Sequence, residues 1–188
     1  MNKLVFYYGA MNSGKSLQLL AFAAKLRNKD IPYLVLKPDT DTRDGDFIKS
    51  RPLNEKLPCI MWKDDEWFII DNLKYIKYIL VDEAQFLTSK QVAYLAAIVD
   101  NPEFDITVVC YGLRTDFRTQ LFEGSKRLFE LADELHEIED VDAEGNKIII
   151  NARIVDDKVV VDGPQVMIGA EDKYQSMSRK EFYNRSSL

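Results

Sequence analysis

Cysteine and histidine are nearly missing from this chain, with two cysteines and one histidine in 188 residues. Cys59 and Cys110 are far apart in sequence and each falls inside a predicted strand, so no disulfide framework is indicated. Structural zinc wants thiolate or imidazole ligands, and His136 stands alone, so zinc is not expected. Basic residues are outnumbered, 25 Lys and Arg against 31 Asp and Glu, for a formal net charge of −6. That balance argues against a nucleic-acid binder, because phosphate backbones demand clustered cations. The one loop with several cations, Arg43 to Lys56, is diluted by Asp and Glu. Long apolar runs of the kind that span a bilayer are absent, and the N-terminus starts on an apolar strand in place of a signal peptide. No membrane partner and a cytoplasmic location are the expectations. What is plentiful is apolar residue content, 46% with no low-complexity segment, enough for one well-packed domain and a small appendage.

The most informative stretch is Gly9-Ala10-Met11-Asn12-Ser13-Gly14-Lys15-Ser16. It follows the apolar run Leu4 to Tyr8 and opens a helical pattern through Leu17, Leu20, Ala24 and Leu26. It fits G-x-x-x-x-G-K-S in the strand, turn, helix setting that a phosphate-binding loop needs. Glycines let the backbone wrap an anion, so that amide N–H groups and the positive end of the helix dipole face phosphates. Lys15 adds charge near β and γ phosphates, and the Ser16 hydroxyl can ligate Mg²⁺.

Short apolar runs alternate with amphipathic stretches over the first two-thirds, the pattern of strands joined by crossover helices in a mostly parallel sheet. Strands are predicted near 3–8, 32–37, 58–62, 77–81 and 106–111, and helices near 15–28, 65–73, 89–100 and 124–132. Pro38 to Pro58, rich in Asp, Arg, Lys and Asn, reads as a long mobile loop. From Val141 the texture changes. Ile148–Ile150 and Val159–Val161 read as small antiparallel strands with turns at Glu144–Asn146 and Asp156–Lys158, followed by a helix over Arg179–Tyr183 and a frayed tail Ser186-Ser187-Leu188. The expected organisation is an α/β core over 1–140, like that of the P-loop NTPases, with a smaller β-containing unit over 141–188.

Tyr78-Ile79-Leu80-Val81 ends in Asp82-Glu83, two carboxylates at the C-terminal edge of a buried strand, where open α/β sheets bind ligands. Such an acid alone is most often a solvated strand end. Beside a phosphate-binding loop, Asp82 becomes the Mg²⁺-side candidate with Ser16, and Glu83 the general-base candidate.

Asp82-Glu83-Ala84-Gln85-Phe86-Leu87, together with Gly9–Ser16, Lys37-Pro38 before Asp41-Thr42-Arg43, and Tyr111-Gly112-Leu113-Arg114-Thr115-Asp116-Phe117-Arg118, resembles the cellular-type thymidine kinases. Phe122-Glu123-Gly124, Leu131-Ala132-Asp133 and Gly163-Pro164-Gln165 through Ile168-Gly169 to Tyr174 continue the resemblance in order, over nearly the whole chain. It implies transfer of the γ-phosphoryl group of ATP to the 5′-hydroxyl of thymidine. By motif, Lys15, Glu83 and Arg43 are the catalytic candidates. Gly9, Ala10, Met11, Asn12, Ser13, Gly14, Lys15, Ser16, Asp82 and Gln85 would hold ATP. Met11, Phe86, Leu113, Phe117, Phe122 and Tyr174 would surround thymine, with the backbone of Gln165, Val166, Met167, Ile168 and Gly169 on its edge in a loop called the lasso. The resemblance further implies a homotetramer inhibited by thymidine triphosphate.

The chain departs from the family where most members carry two cysteine pairs of a zinc ribbon. Asp142, Glu144, Ser178 and Glu181 hold the equivalent positions, and solvated charges are the expected reading. Packing of Ile148–Ile150 and Val159–Val161 is expected to offset the missing metal. Competing readings keep the mechanism with another acceptor, such as deoxyuridine or a 5-substituted analogue, or make the chain a P-loop ATPase switch or an inactive binding homologue. The retention of Lys15, Ser16, Arg43, Asp82 and Glu83 opposes the last.

Overall fold

A computed structural model describes residues 2–42, 45–50, 55–64, 73–165 and 173–186. The strands are β1 (Leu4–Gly9), β2 (Tyr33–Pro38), β3 (Phe47–Ser50), β4 (Glu55–Pro58), β5 (Ile60–Trp62), β6 (Tyr78–Val81), β7 (Thr107–Leu113), β8 (Glu134–Glu137), β9 (Ile148–Val155), β10 (Lys158–Val160) and β11 (Tyr174–Ser178). The helices are α1 (Lys15–Arg27), α2 (Ser89–Asp100), α3 (Glu123–Leu131) and α4 (Arg179–Arg185).

Alternation along the strands decides the main architecture. In β1, Leu4 and Phe6 enter one core and Val5 the other; Ile79 and Val81 part from Leu80 in β6, and Val108 and Cys110 from Val109 and Tyr111 in β7. Strands apolar on both sides must be covered on both sides, which is the condition of a parallel sheet between helices. The sheet runs β5-β2-β6-β7-β1-β8, every neighbouring pair parallel. Val92, Leu95 and Ile98 of α2 and Leu128 of α3 close one face. Leu19, Leu20, Ala23 and Leu26 of α1 close the other. The start of α2 is fixed by a capping box: the Thr88 hydroxyl accepts from the Gln91 amide at 3.3 Å, and Gln91 Oε1 accepts from the Thr88 amide at 2.9 Å. Such a cap is worth about 1 kcal/mol.

A second sheet, β10-β9-β11, is antiparallel. Its two-residue turn at Asp156-Asp157 has φ of 49° and 61°, the left-handed pair that suits a tight hairpin. Ile150, Ala152, Met177 and Phe182 form its own core, lined by Ile149, Ile154, Val159 and Val161.

Several expectations are corrected. Within Pro38 to Pro58, β3 and β4 form an antiparallel hairpin, because Ile48, 1% exposed, seats into the α1-side core and Lys56 lies 4.7 Å from the Phe47 ring. The predicted strand 58–62 shortens to β5, leaving Cys59 between two strands. A strand the sequence reading omitted, β8, pairs with β1; its Glu-Leu-His-Glu sequence is that of a charged edge, tied to β1 by backbone bonds and the Lys3–Glu134 pair. Ser186 does not fray: its amide donates to the Phe182 carbonyl at 2.8 Å. The predicted helix 65–73 falls outside the described residues except for Leu73, which opens a one-turn 3₁₀ helix.

Candidate active site

The phosphate-binding segment leaves β1 at Gly9 and enters α1 at Lys15. Gly9 is there for lack of space, since a Cβ would lie 2.6 Å from Ser13 Oγ and 2.8 Å from the Ile138 carbonyl oxygen. Gly14 is there for conformation, with φ of 90° in open space. Among the described residues no side chain caps α1, and no acid occupies its first turn, so its amide end presents an uncancelled positive pole. Ser13 Oγ is buried and, among the described residues, has no hydrogen-bond partner. Lys15 Nζ donates to the carbonyls of Ala10 at 2.5 Å and Gly9 at 3.5 Å, which keeps the ammonium over the loop.

The loop meets the strand-end acids through one bond: the Ser16 hydroxyl donates to Asp82 Oδ2 at 2.9 Å, across 66 residues of sequence. Asp82 is 5% exposed. Burial, and after it the neighbouring Glu83 charge, push its carboxyl up to about 7; the Ser16 hydroxyl, the Glu83 amide and the Lys15 charge pull the other way. A hydroxyl and a carboxylate are hard oxygen donors, so the pair fits Mg²⁺. Among the described residues there is no group of three or more His, Cys, Asp or Glu placed to hold a metal by themselves.

Glu83 has φ of 51°, a left-handed backbone that costs a non-glycine residue about 1–2 kcal/mol. Gln85, 1% exposed, holds the result: its Nε2 donates to Glu83 Oε2 at 2.5 Å and its Oε1 accepts from the Leu113 amide at 2.9 Å. The end of β7 thus fixes Gln85, and Gln85 fixes Glu83. Gly112 permits this contact, because a Cβ would lie 2.9 Å from Gln85 Oε1.

The four aromatic candidates divide into two pairs. Phe86 and Phe122 meet edge to face at 5.7 Å. Phe117 and Tyr174 do so at 6.5 Å, with the Arg153 guanidinium carbon 3.6 Å from the Phe117 ring centroid. Phe117 is 1% exposed under that cover. Arg153 also donates to the Tyr174 hydroxyl and, at 2.9 Å, to the Pro164 carbonyl. Gln165 Nε2 donates to Asp116 Oδ2 at 3.0 Å, an atom that also receives Arg118. Met11 is reached from the second sheet: its amide donates to Asn151 Oδ1 at 2.7 Å and its carbonyl accepts from the Ser176 hydroxyl at 2.8 Å. Arg43 and Val166–Gly169 lie outside the described residues; Asp41, two positions before Arg43 in the chain, pairs with Lys37 at 3.8 Å, both almost fully buried. Asn151, Ser176, Arg153 and Asp116 were given no role by sequence reasoning. One signal was available for Asn151, a polar residue closing the apolar run Ile148-Ile149-Ile150, which demands a buried partner.

An anion loop at the end of one parallel strand, bonded through its serine to an acid at the end of another, defines a nucleotide-binding protein of the phosphate-loop class. The narrower assignment comes from comparison. The thymidine kinase family model matches residues 2–182. A thymidine kinase of Xanthomonas oryzae pv. oryzae is 40% identical over 189 residues, covering 97% of this chain and 90% of that one. The enzyme of that name from Enterobacteria phage T4 is 40% identical over 97% of this chain and 96% of its own. The one from Enterococcus faecalis is 38% identical over 100% and 98%. The chain belongs to the thymidine kinase family. Among solved structures, the Pif1 helicase of Candida albicans aligns with a TM-score of 0.46 at 15% identity, over 75% of this chain and 37% of that one, a likeness that carries no argument.

Proposed function

We propose that this chain transfers the γ-phosphoryl group of ATP to the 5′-hydroxyl of thymidine, with Glu83 accepting the hydroxyl proton. The observation that carries the reading is the 2.9 Å bond from Ser16 to Asp82, which brings the phosphate loop and the Asp82-Glu83 corner to one point. Phosphoryl transfer is mainly positioning and charge stabilisation, and the loop supplies both: the amides of Gly9 to Ser16 bind β and γ phosphates, and Lys15 turns its ammonium from loop carbonyls to phosphate oxygens. Ser16 and Asp82 would hold Mg²⁺, which when bound neutralises charge on the phosphate oxygens. Glu83, fixed through Gln85, keeps a carboxylate oxygen toward the acceptor. Arg43 steadies the transferring group. Met11, Phe86, Leu113, Phe117, Phe122 and Tyr174 give the base apolar walls, and Gln165 to Gly169 its polar edge, the composition small-molecule sites require. Residues 1–140 carry the phosphate chemistry and 141–188 the lasso. Assembly as a homotetramer rests on the family resemblance alone, and the cytoplasmic location is carried over from the sequence reading.

The test is ATP-dependent phosphorylation of thymidine against the other deoxynucleosides and deoxyuridine in Mg²⁺, with Glu83→Gln beside the parent. Thymidine-selective product, reduced about 10²- to 10⁴-fold in kcat by the substitution, is expected. ATP hydrolysis without nucleoside product would overturn the proposal.

A further inference from the structure

The phosphate loop borrows two of its hydrogen bonds from the second sheet. Asn151 on β9 is 3% exposed, and both ends of its amide are used: Oδ1 accepts from the Met11 N–H at 2.7 Å and Nδ2 donates to the Thr115 carbonyl at 3.3 Å. Ser176, facing Asn151 across the β9–β11 ladder, donates to the Met11 carbonyl at 2.8 Å. The N–H and the C=O of one loop residue are therefore both satisfied by cross-strand partners lying 140 and 165 positions further along the chain. Met11 lies between Ala10, whose carbonyl takes the Lys15 ammonium, and Asn12, whose left-handed φ of 63° starts the turn toward Gly14. Thr115 belongs to the loop that leads from β7 into Asp116 and Phe117.

We infer that Asn151 and Ser176 are positioning residues that couple the ATP site to the acceptor site through the Met11 backbone. This rests on the thymidine kinase reading above. Both bonds are already made, so a ligand that stiffens the second sheet stiffens Met11 through Asn151 and Ser176, and an ATP-like ligand that stiffens the loop returns the same restraint. Each ligand then binds more tightly to the chain that already holds the other, and by linkage the factor is equal in both directions. Neither side chain needs to touch either ligand.

The experiment measures thymidine dissociation constants by calorimetry with and without a non-hydrolysable ATP analogue and Mg²⁺. It uses the parent, Asn151→Ala, Ser176→Ala and the conservative Ser176→Thr, each checked for a cooperative thermal transition. The parent is expected to bind thymidine at least about fivefold more tightly with the analogue present. Ser176→Ala and Asn151→Ala are each expected to cut that ratio about threefold or more, and Ser176→Thr to retain it. A general loss of stability would not move a ratio of two affinities on a folded protein. If Asn151→Ala does not fold, Ser176→Ala alone decides, since its half-buried hydroxyl leaves the packing intact. A parent ratio near one, or an unchanged ratio in the folded variants, overturns the coupling while leaving the kinase reading standing. A parent that binds no thymidine in either condition overturns both.

Discussion

Replacing Gly124 by alanine sets two effects of opposite sign against each other. Alanine is the better helix former, by about 0.5–1 kcal/mol in a helix interior, and Gly124 is the second residue of α3. Yet a Cβ there would sit 2.5 Å from the carbonyl oxygen of Ala84, 2.7 Å from that of Leu87 and 3.0 Å from that of Gln85. These are backbone atoms, so no rotamer change relieves them. Even favourable C–H···O contacts need about 3.3 Å, so α3 must retreat by roughly half an ångström or more. Overpacking of this kind costs about 1–3 kcal/mol, which outweighs the propensity gain and leaves a net loss of about 1–2 kcal/mol. For a chain of this length that lowers Tm by about 2–8 °C. The effect on activity is larger than on stability, because the three carbonyls belong to the turn that follows Glu83 and contains Gln85. A shift there loosens the carboxylate, and about tenfold in kcat is expected for a misplacement of this size. Thermal unfolding followed by circular dichroism, and kcat measured well below both transitions, check the two halves separately. Gly145→Ala is the control: φ of 80° in open space predicts strain of about 1–2 kcal/mol and no change in kcat. A Gly124→Ala protein with raised Tm and full kcat would refute the reasoning, since propensity would then have beaten the clash.

Two further outcomes follow from burial. Asp82 titrates near 7 in the fold against an ordinary 3.8, so the folded chain binds its proton more tightly than the unfolded one. Its contribution is fully present below about pH 4 and is lost as pH rises to about 7. Without nucleotide or Mg²⁺, Asp82→Asn is therefore expected to be more stable than the parent at pH 8, by on the order of a few kcal/mol, with the gap closing toward pH 4; a constant gap in urea titrations across that range would refute it. Phe182, 2% exposed in the second core, should lower stability by about 3–5 kcal/mol on truncation to alanine, while a chelator leaves the parent's Tm unchanged.

The parallel core was legible because its signals are local. Gly9 to Ser16 carries the loop in eight consecutive residues, and the alternation of Leu4, Val5 and Phe6 or of Ile79, Leu80 and Val81 needs only a run of three to read. β8 was not legible, since Glu134 to Glu137 holds one apolar residue, Leu135, and that one is 44% exposed; backbone pairing with β1 makes it a strand, and pairing leaves no side-chain signature. The β3–β4 hairpin was hidden by its charges for the same reason. In the site, Glu83 could be placed at a strand end, but its left-handed backbone and its bond to Gln85 arise from the packing of the turn against β7 and α3. Ser176 was invisible, and Asn151 showed only as a polar residue closing an apolar run, because their partners lie in the loop at the other end of the chain.

At the four positions where the resemblance implies zinc ligands in most members, Asp142, Glu144, Ser178 and Glu181, the described contacts are hydrogen bonds and an ion pair. The Asp142 carboxylate is held below the usual range: burial works against its charge, but the Asn146 side chain and amide, the Glu144 amide and the Ser178 hydroxyl prevail. Ser178 also accepts the Glu181 amide at 3.3 Å and so starts α4. The turn over Asp142–Asn146 is thus closed by its own amides, and the start of α4 at the end of β11 by the Ser178 hydroxyl. Glu144 and Glu181 are engaged elsewhere, by Asn146 and by Arg185. Hydrogen bonds of this sort contribute about 1 kcal/mol each, far less than a structural zinc, so they shape the turn and the helix start and cannot supply the folding energy. That falls to the burial of Ile150, Met177 and Phe182, at about 1.5–3 kcal/mol for each large side chain, together roughly half of what a structural zinc supplies, about 10–16 kcal/mol.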